Sequence, residues 1–218
     1  MIRGVIFDMD GLMTDTERLF LELWCQVLGE RGLPERRDVV IHCVGLNHRA
    51  IEDYVHRELG AEFDYQEMMR EVGARVEDYC AVNGVPVKPG LYDLLDELDR
   101  QGIPYAVATS SMHAHAAHRL ECIGVMHRLQ ALITGDMVAV GKPDPEIFLK
   151  AAEALGLPPE DCLVLEDSPH GILAAHLAGC RPVMIPDLQQ PDLETRSLLS
   201  GIACRLDQVI PLLREWNR

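Results

Sequence analysis

Val5-Ile6-Phe7-Asp8-Met9-Asp10-Gly11-Leu12-Met13-Thr14-Asp15 is the stretch on which the fold turns. Three apolar residues run straight into two acids spaced two apart. A strand covered on both faces has no polar positions to alternate with, so such a run reads as a buried strand emptying into an acidic loop. Similar runs recur at Tyr105 to Ala108, Ala131 to Ile133, Cys162 to Leu165 and Pro182 to Ile185. Between them apolar residues return at helical spacing: Leu91, Leu94, Leu95 and Leu98; Ala116, Leu120 and Ile123; Ile147, Phe148, Ala151 and Leu155; Ile172, Leu173, Ala175 and Leu177. Regular strand–helix alternation predicts an α/β fold with a doubly wound parallel sheet, Rossmann-like in its layering.

The alternation fails between Thr14 and Val85. Helical stretches are predicted at Glu17 to Gly32, His48 to Leu59 and Tyr65 to Asn83, stopped by Gly32-Leu33-Pro34 and Gly60, and no strand is expected there. An all-helical block after the first strand reads as an inserted domain. The expected division is an α/β core domain of residues 1–13 and 86–218 with an inserted helical domain of residues 14–85. The return point, Gly84-Val85-Pro86-Val87-Lys88-Pro89-Gly90, suits a hinge.

Composition narrows the partners. The 218 residues are 48% hydrophobic and carry a formal charge of −15, which disfavours nucleic acid or an anionic membrane surface. Acidity is not segregated: residues 14–85 hold eight basic and fifteen acidic side chains, −7, leaving −8 elsewhere. No segment approaches the ~18–20 apolar residues of a membrane helix, and a cytoplasmic monomer is the expectation. The seven cysteines, scattered and without a CxxC pair, read as buried thiols in a reducing compartment.

Open α/β sheets build their sites beyond the carboxyl ends of the strands. In this chain the strand ends deliver Asp8 and Asp10, then Thr109-Ser110-Ser111, then Gly141-Lys142-Pro143-Asp144-Pro145, then Glu166-Asp167-Ser168. Any one of these acids alone is an ordinary loop residue. Four carboxylates delivered to one edge repel unless a cation joins them, and Mg²⁺ is the usual partner of a few carboxylates, waters and a phosphate. Thr109 and Ser110, read as beginning the turn into a helix, offer a hydroxyl and free N–H groups to an anion, and Lys142 supplies a point positive charge. The Gly-Lys pair lacks the spacing of a nucleotide-binding P-loop.

Phe7-Asp8-Met9-Asp10-Gly11, Thr109, Lys142 and Glu166-Asp167, in that order over nearly the whole chain, resemble the four motifs of the haloacid dehalogenase superfamily. The helical insert resembles its small-cap, β-phosphoglucomutase-like branch. The resemblance implies an aspartyl-phosphate mechanism: Asp8 as nucleophile, Asp10 as general acid and base, and Mg²⁺ held by Asp8, Asp167 and the Asp10 carbonyl with Glu166 behind them. Thr109, Ser110 and Lys142 are then expected on the phosphoryl oxygens, and Glu17, Arg18, Asn47, His48 and Arg49 as contacts from the cap. Asp10 itself favours phosphate esters, because dehalogenase and phosphonate-cleaving members lack the second acid. The expected activity is hydrolysis of a small phosphorylated metabolite of sugar or nucleoside monophosphate type. A sugar phosphomutase is the alternative; it is weakened because gapless counting puts Phe20 and His48 where those mutases use histidine and arginine. A phospho-acceptor switch without turnover would share the acids, threonine and lysine, but not the large insert after the first strand.

Two further patterns read as ordinary structure. His113, His115 and His118 do not share one helical face and are not expected to bind metal. Met68, Met69, Val72 and Val76 read as packing.

Overall fold

The computed structural model describes residues 1–43 and 48–218, residues 48–50 by backbone alone. Among them six strands form one parallel sheet: β1 (Gly4–Phe7), β2 (Tyr105–Ala108), β3 (Ala131–Ile133), β4 (Cys162–Glu166), β5 (Arg181–Met184) and β6 (Gly201–Ile202), in the order β3-β2-β1-β4-β5-β6. β1 lies between the two halves of the winding. Phe7 is level with Val107 of β2 and Leu165 of β4, so Asp8 emerges level with Ala108 and Glu166. The switch in winding direction therefore falls where the expected acids lie.

Alternation within β1 divides the core. Val5 and Phe7 join one apolar cluster with helices α5 (Leu91–Gln101), α6 (His113–Cys122) and α10 (Val209–Trp216), through Leu91, Leu94, Leu98, Leu120 and Leu213. Ile6 faces the other way, against α7 (Glu146–Leu155) and α8 (Pro169–Leu177), through Phe148, Ala151, Ala174 and Ala175. Helices on both faces explain why the strands show no polar alternation. A short α9 (Leu193–Leu198) precedes β6.

The remaining helices, α1 (Thr16–Glu30), α2 (Arg37–Cys43), α3 (His48–Leu59) and α4 (Tyr65–Asn83), pack around a cluster of their own that includes Trp24, Leu28, Met68, Val72 and Val76. At the two chain crossings into this block, Thr14 and Val87 form an isolated antiparallel bridge. Lys88 Nζ there lies 2.9 Å from Asp15 Oδ1 and 2.8 Å from Asp187 Oδ1, and Arg18 also pairs with Asp187. One lysine thus ties both crossings to the loop after β5.

The structure corrects several expectations. The fifth strand begins at Arg181 rather than Pro182, and β6 is a two-residue edge strand that the sequence does not predict. Helix α6 starts at His113, with Met112 rather than Thr109 or Ser110 before it, and its first N–H is taken by Asp136 Oδ1 at 3.1 Å. Cys25, Cys43, Cys162 and Cys180 are buried, but Cys80 is half-buried and Cys122 and Cys204 are exposed, so apolar sequence neighbours do not by themselves bury a thiol.

Candidate active site

Lys142 organises the acidic edge. Its ammonium, 3% exposed as a residue, lies 2.5 Å from Asp8 Oδ1, 2.6 Å from Glu166 Oε1 and 3.2 Å from the Ala108 carbonyl. Three donors thus meet three acceptors. Burial works to lower the lysine's pKa, but the adjacent Asp8 and Glu166 carboxylates outweigh it and hold it raised. The other Glu166 oxygen accepts from the Asp167 and Ser168 N–H groups and the Ser168 hydroxyl, each at 3.0 Å. Glu166 is thus fully engaged and fixes Lys142. Gly171 in the first turn of α8 makes this possible: a Cβ there would overlap the Glu166 carboxylate.

Asp10 sits in a second network. Its Oδ2 accepts from the Ser111 hydroxyl at 2.7 Å and lies 3.5 Å from the Thr109 hydroxyl, while Oδ1 accepts from Thr16 Oγ1 at 3.0 Å and from Arg119 at 2.5 Å. Thr109 Oγ1 in turn accepts the Ser111 N–H at 3.1 Å. Arg119 reaches toward the helical block as well, with Glu77 of α4 at 3.8 Å. Sequence reasoning misses Arg119 and sees Ser111 only within its serine run. Arg119 lies in the body of α6 rather than at a strand end, and its four-residue spacing from His115, which also faces Glu77 at 3.6 Å, is the available signal.

Among the described residues, Asp167 and Glu17 carry the unmet charge of the site, beside an Asp8 that Lys142 already pairs. Burial pushes the Asp8 carboxyl up to about 8; Lys142 opposes this and Glu166 reinforces it. Burial first, then neighbouring acids, raises Asp167 and Glu17 well above the carboxylate range. Asp167 Oδ2 and Glu17 Oε2 are buried with no hydrogen-bond partner among the described residues. Both border Gly11, whose φ of +82° is a glycine conformation and whose missing Cβ would run into these two carboxylates. Orphaned hard oxygens beside a crowded acidic pocket fit a divalent cation. Among the described residues no set of three or more His, Cys, Asp or Glu side chains forms a ready ligand cluster. The fit is therefore to an ion bound by few side chains, with backbone oxygen, water and phosphate completing its shell.

The expected residues Asp8, Asp10, Glu17, Thr109, Lys142, Glu166 and Asp167 line one cavity of about 930 Å³, together with exposed Ser110. The helical block contributes its other wall, including Phe20, Trp24, Tyr65, Met69 and Val76. Met69 therefore faces the cavity while Met68 is core. Arg18 is engaged with Asp187 and Asp15. Asn47 and the side chains of His48 and Arg49 lie outside the described residues. His118 sits 3.6 Å from Cys122 Sγ and His115 faces Glu77, so the α6 histidines point to separate neighbours.

The haloacid dehalogenase-like hydrolase family matches residues 5–185. A Drosophila melanogaster protein named probable pseudouridine-5'-phosphatase is 32% identical over 188 residues, covering 84% of this chain and 80% of its own. Validoxylamine A 7'-phosphate phosphatase of Streptomyces hygroscopicus subsp. limoneus is 33% identical over 183 residues, covering 82% and 83%. The crystal structure of β-phosphoglucomutase from Clostridium difficile superposes with a TM-score of 0.77 at 22% identity, over 99% of this chain and 96% of that one, a likeness of fold. With the family match spanning both edges of the sheet's switch point, the chain belongs to the haloacid dehalogenase-like hydrolases, an enzyme family whose relatives named here include phosphatases.

Proposed function

We propose that the protein is a Mg²⁺-dependent phosphatase of small phosphorylated metabolites, of sugar or nucleoside monophosphate type, working through an aspartyl-phosphate on Asp8. The observation that carries this is the juxtaposition of Asp8, fixed by Lys142 at 2.5 Å, with the unpartnered oxygens of Asp167 and Glu17. An Asp8 oxygen attacks phosphorus and the bond to the substrate alcohol breaks, Asp10 giving its proton to the leaving oxygen. Asp10, now a carboxylate, takes a proton from the water that attacks the acyl phosphate, which frees Asp8 and inorganic phosphate. The Thr109 hydroxyl and the Ser110 N–H donate to the phosphoryl oxygens, and Lys142, whose three donors are engaged, stabilises them through its charge. Asp8, Asp167 and the Asp10 carbonyl would hold Mg²⁺, whose chemistry is to neutralise phosphoryl charge. Glu166, with both oxygens engaged, positions Lys142 and the Asp167 backbone.

Helices α1–α4 act in this reading as a cap on residues 14–85 that closes over the cavity and excludes bulk water. Phe20, the position counted for the mutase histidine, lines the cavity with a phenyl ring, which supports hydrolysis over intramolecular transfer. The reading takes the protein as a cytoplasmic monomer; the seven unpaired cysteines support a reducing compartment, and no described helix is long and apolar enough to cross a membrane. The test is a panel of sugar and nucleoside phosphates with Mg²⁺ and with excess chelator. Phosphate release that the chelator abolishes and Mg²⁺ restores is expected; release from no ester, or release indifferent to chelation, contradicts the reading.

A further inference from the structure

We propose that the cavity accepts a substrate alcohol bearing an apolar or aromatic portion, and that the missing side chain at Gly73 sets how far that portion reaches. This rests on the phosphatase reading and narrows its substrate class, away from bare polyols.

The two walls of the cavity differ in chemistry. The sheet-side wall carries Asp8, Asp10, Thr109 and Lys142 for a phosphoryl group, whereas the helical block contributes Phe20, Trp24, Val39, Val40, Tyr65 and Val76. Among the described residues of that block, only Glu17 and Glu77 bring charged side chains to the cavity. A volume of about 930 Å³ is near the upper end of the ~300–1,000 Å³ that encloses a small organic ligand, so much more than a phosphate is accommodated. Tyr65 Oη, Trp24 Nε1 and Glu17 Oε2, buried there without partners among the described residues, offer a substrate a few hydrogen-bonding atoms; most of the described wall is apolar, where a polyol's hydroxyls would lose water and an apolar or aromatic group would not.

Gly73 supplies the second observation. Met69, Gly73, Val76 and Glu77 all line the cavity, and their spacings place them on one face of α4. Glycine inside a helix is less stable than alanine, so a reason for it is wanted. The backbone gives none, because Gly73 is not among the positive-φ glycines. Packing gives none either, since a Cβ there would meet no heavy atom within 4 Å. What the glycine leaves is open volume in the apolar wall.

The experiment measures kcat/KM for the n-alkyl phosphates from ethyl to hexyl, whose leaving-group chemistry is nearly constant, beside a hexose 6-phosphate, in wild type and Gly73→Leu. The expected result is a rise of about fourfold per methylene, with the hexose phosphate on the order of 100-fold below hexyl phosphate. Gly73→Leu is expected to cut the hexyl-to-ethyl ratio at least tenfold without lowering Tm. A flat alkyl series, a preferred hexose phosphate, or an unaltered ratio in Gly73→Leu overturns the proposal while leaving the phosphatase reading intact. Release of phosphate from no ester by the folded enzyme overturns both.

Discussion

Lys142 and Arg119 share the work of holding two carboxylates in place. Lys142 is bracketed by Asp8 and Glu166, and its position in the Gly-Lys-Pro loop makes it visible in the sequence. Asp10 is held by Thr16, Ser111 and Arg119, a set that no motif announces, because these residues come from a helix start, a loop and the body of another helix. Arg119 reaches no reacting atom in the proposed chemistry and acts as a positioning residue. Arg119→Ala is expected to lower kcat by about 100-fold, the scale of an ångström-sized misplacement, with a much smaller change in KM and partial recovery in Arg119→Lys. Steady-state kinetics of the three proteins checks this; equal loss in KM alone would instead make Arg119 a substrate contact.

At the scale of elements, helices are tied by acids that the sequence shows only as surface charge. Glu97 of α5 accepts from Arg100, Gln101 and Arg214, the last on α10. Hydrogen bonds, foremost from Arg100, lower its pKa to about 2, and Arg75 does the same for Glu30 of α1. A carboxyl depressed on folding adds stability that is present above its unfolded value near 4.5 and is lost as pH falls toward about 2. Stability in denaturant titrations should therefore fall across that window, and Glu97→Gln should show a shallower fall than wild type; an identical slope would mean that Glu97 is not held by these donors, Arg100 foremost, in solution. Such ties are illegible because an acidic residue on a helix face says nothing about which arginine it meets. Apolar periodicity, by contrast, locates α3, α4, α5 and the buried strands to within a few residues, whereas β6 escapes it because only two residues, Gly201 and Ile202, pair at the sheet's edge.

Over the whole molecule, the legible features are those that burial on both faces imposes: continuous apolar strands, and functional residues confined to the loops at their ends. The acidic total of −15 is compatible with an anionic substrate, because Lys142, Arg119 and the divalent cation of the proposed mechanism would make the site locally receptive. Long-range steering should still be unfavourable. The association rate of a phosphate ester, measured by stopped flow, is expected to rise as salt shortens the Debye length from ~30 Å at 0.01 M to ~8 Å at 0.15 M; a fall would reveal a positive field around the cavity mouth. The central claim, covalent catalysis at Asp8, is most directly tested by acid-quenching the Asp10→Asn variant during turnover with Mg²⁺ and mapping the phosphoryl group by mass spectrometry. A phosphoryl adduct on Asp8 that accumulates in Asp10→Asn and is absent from Asp8→Asn is the predicted result; Asp8→Asn with full turnover, or an adduct on another residue, would contradict it.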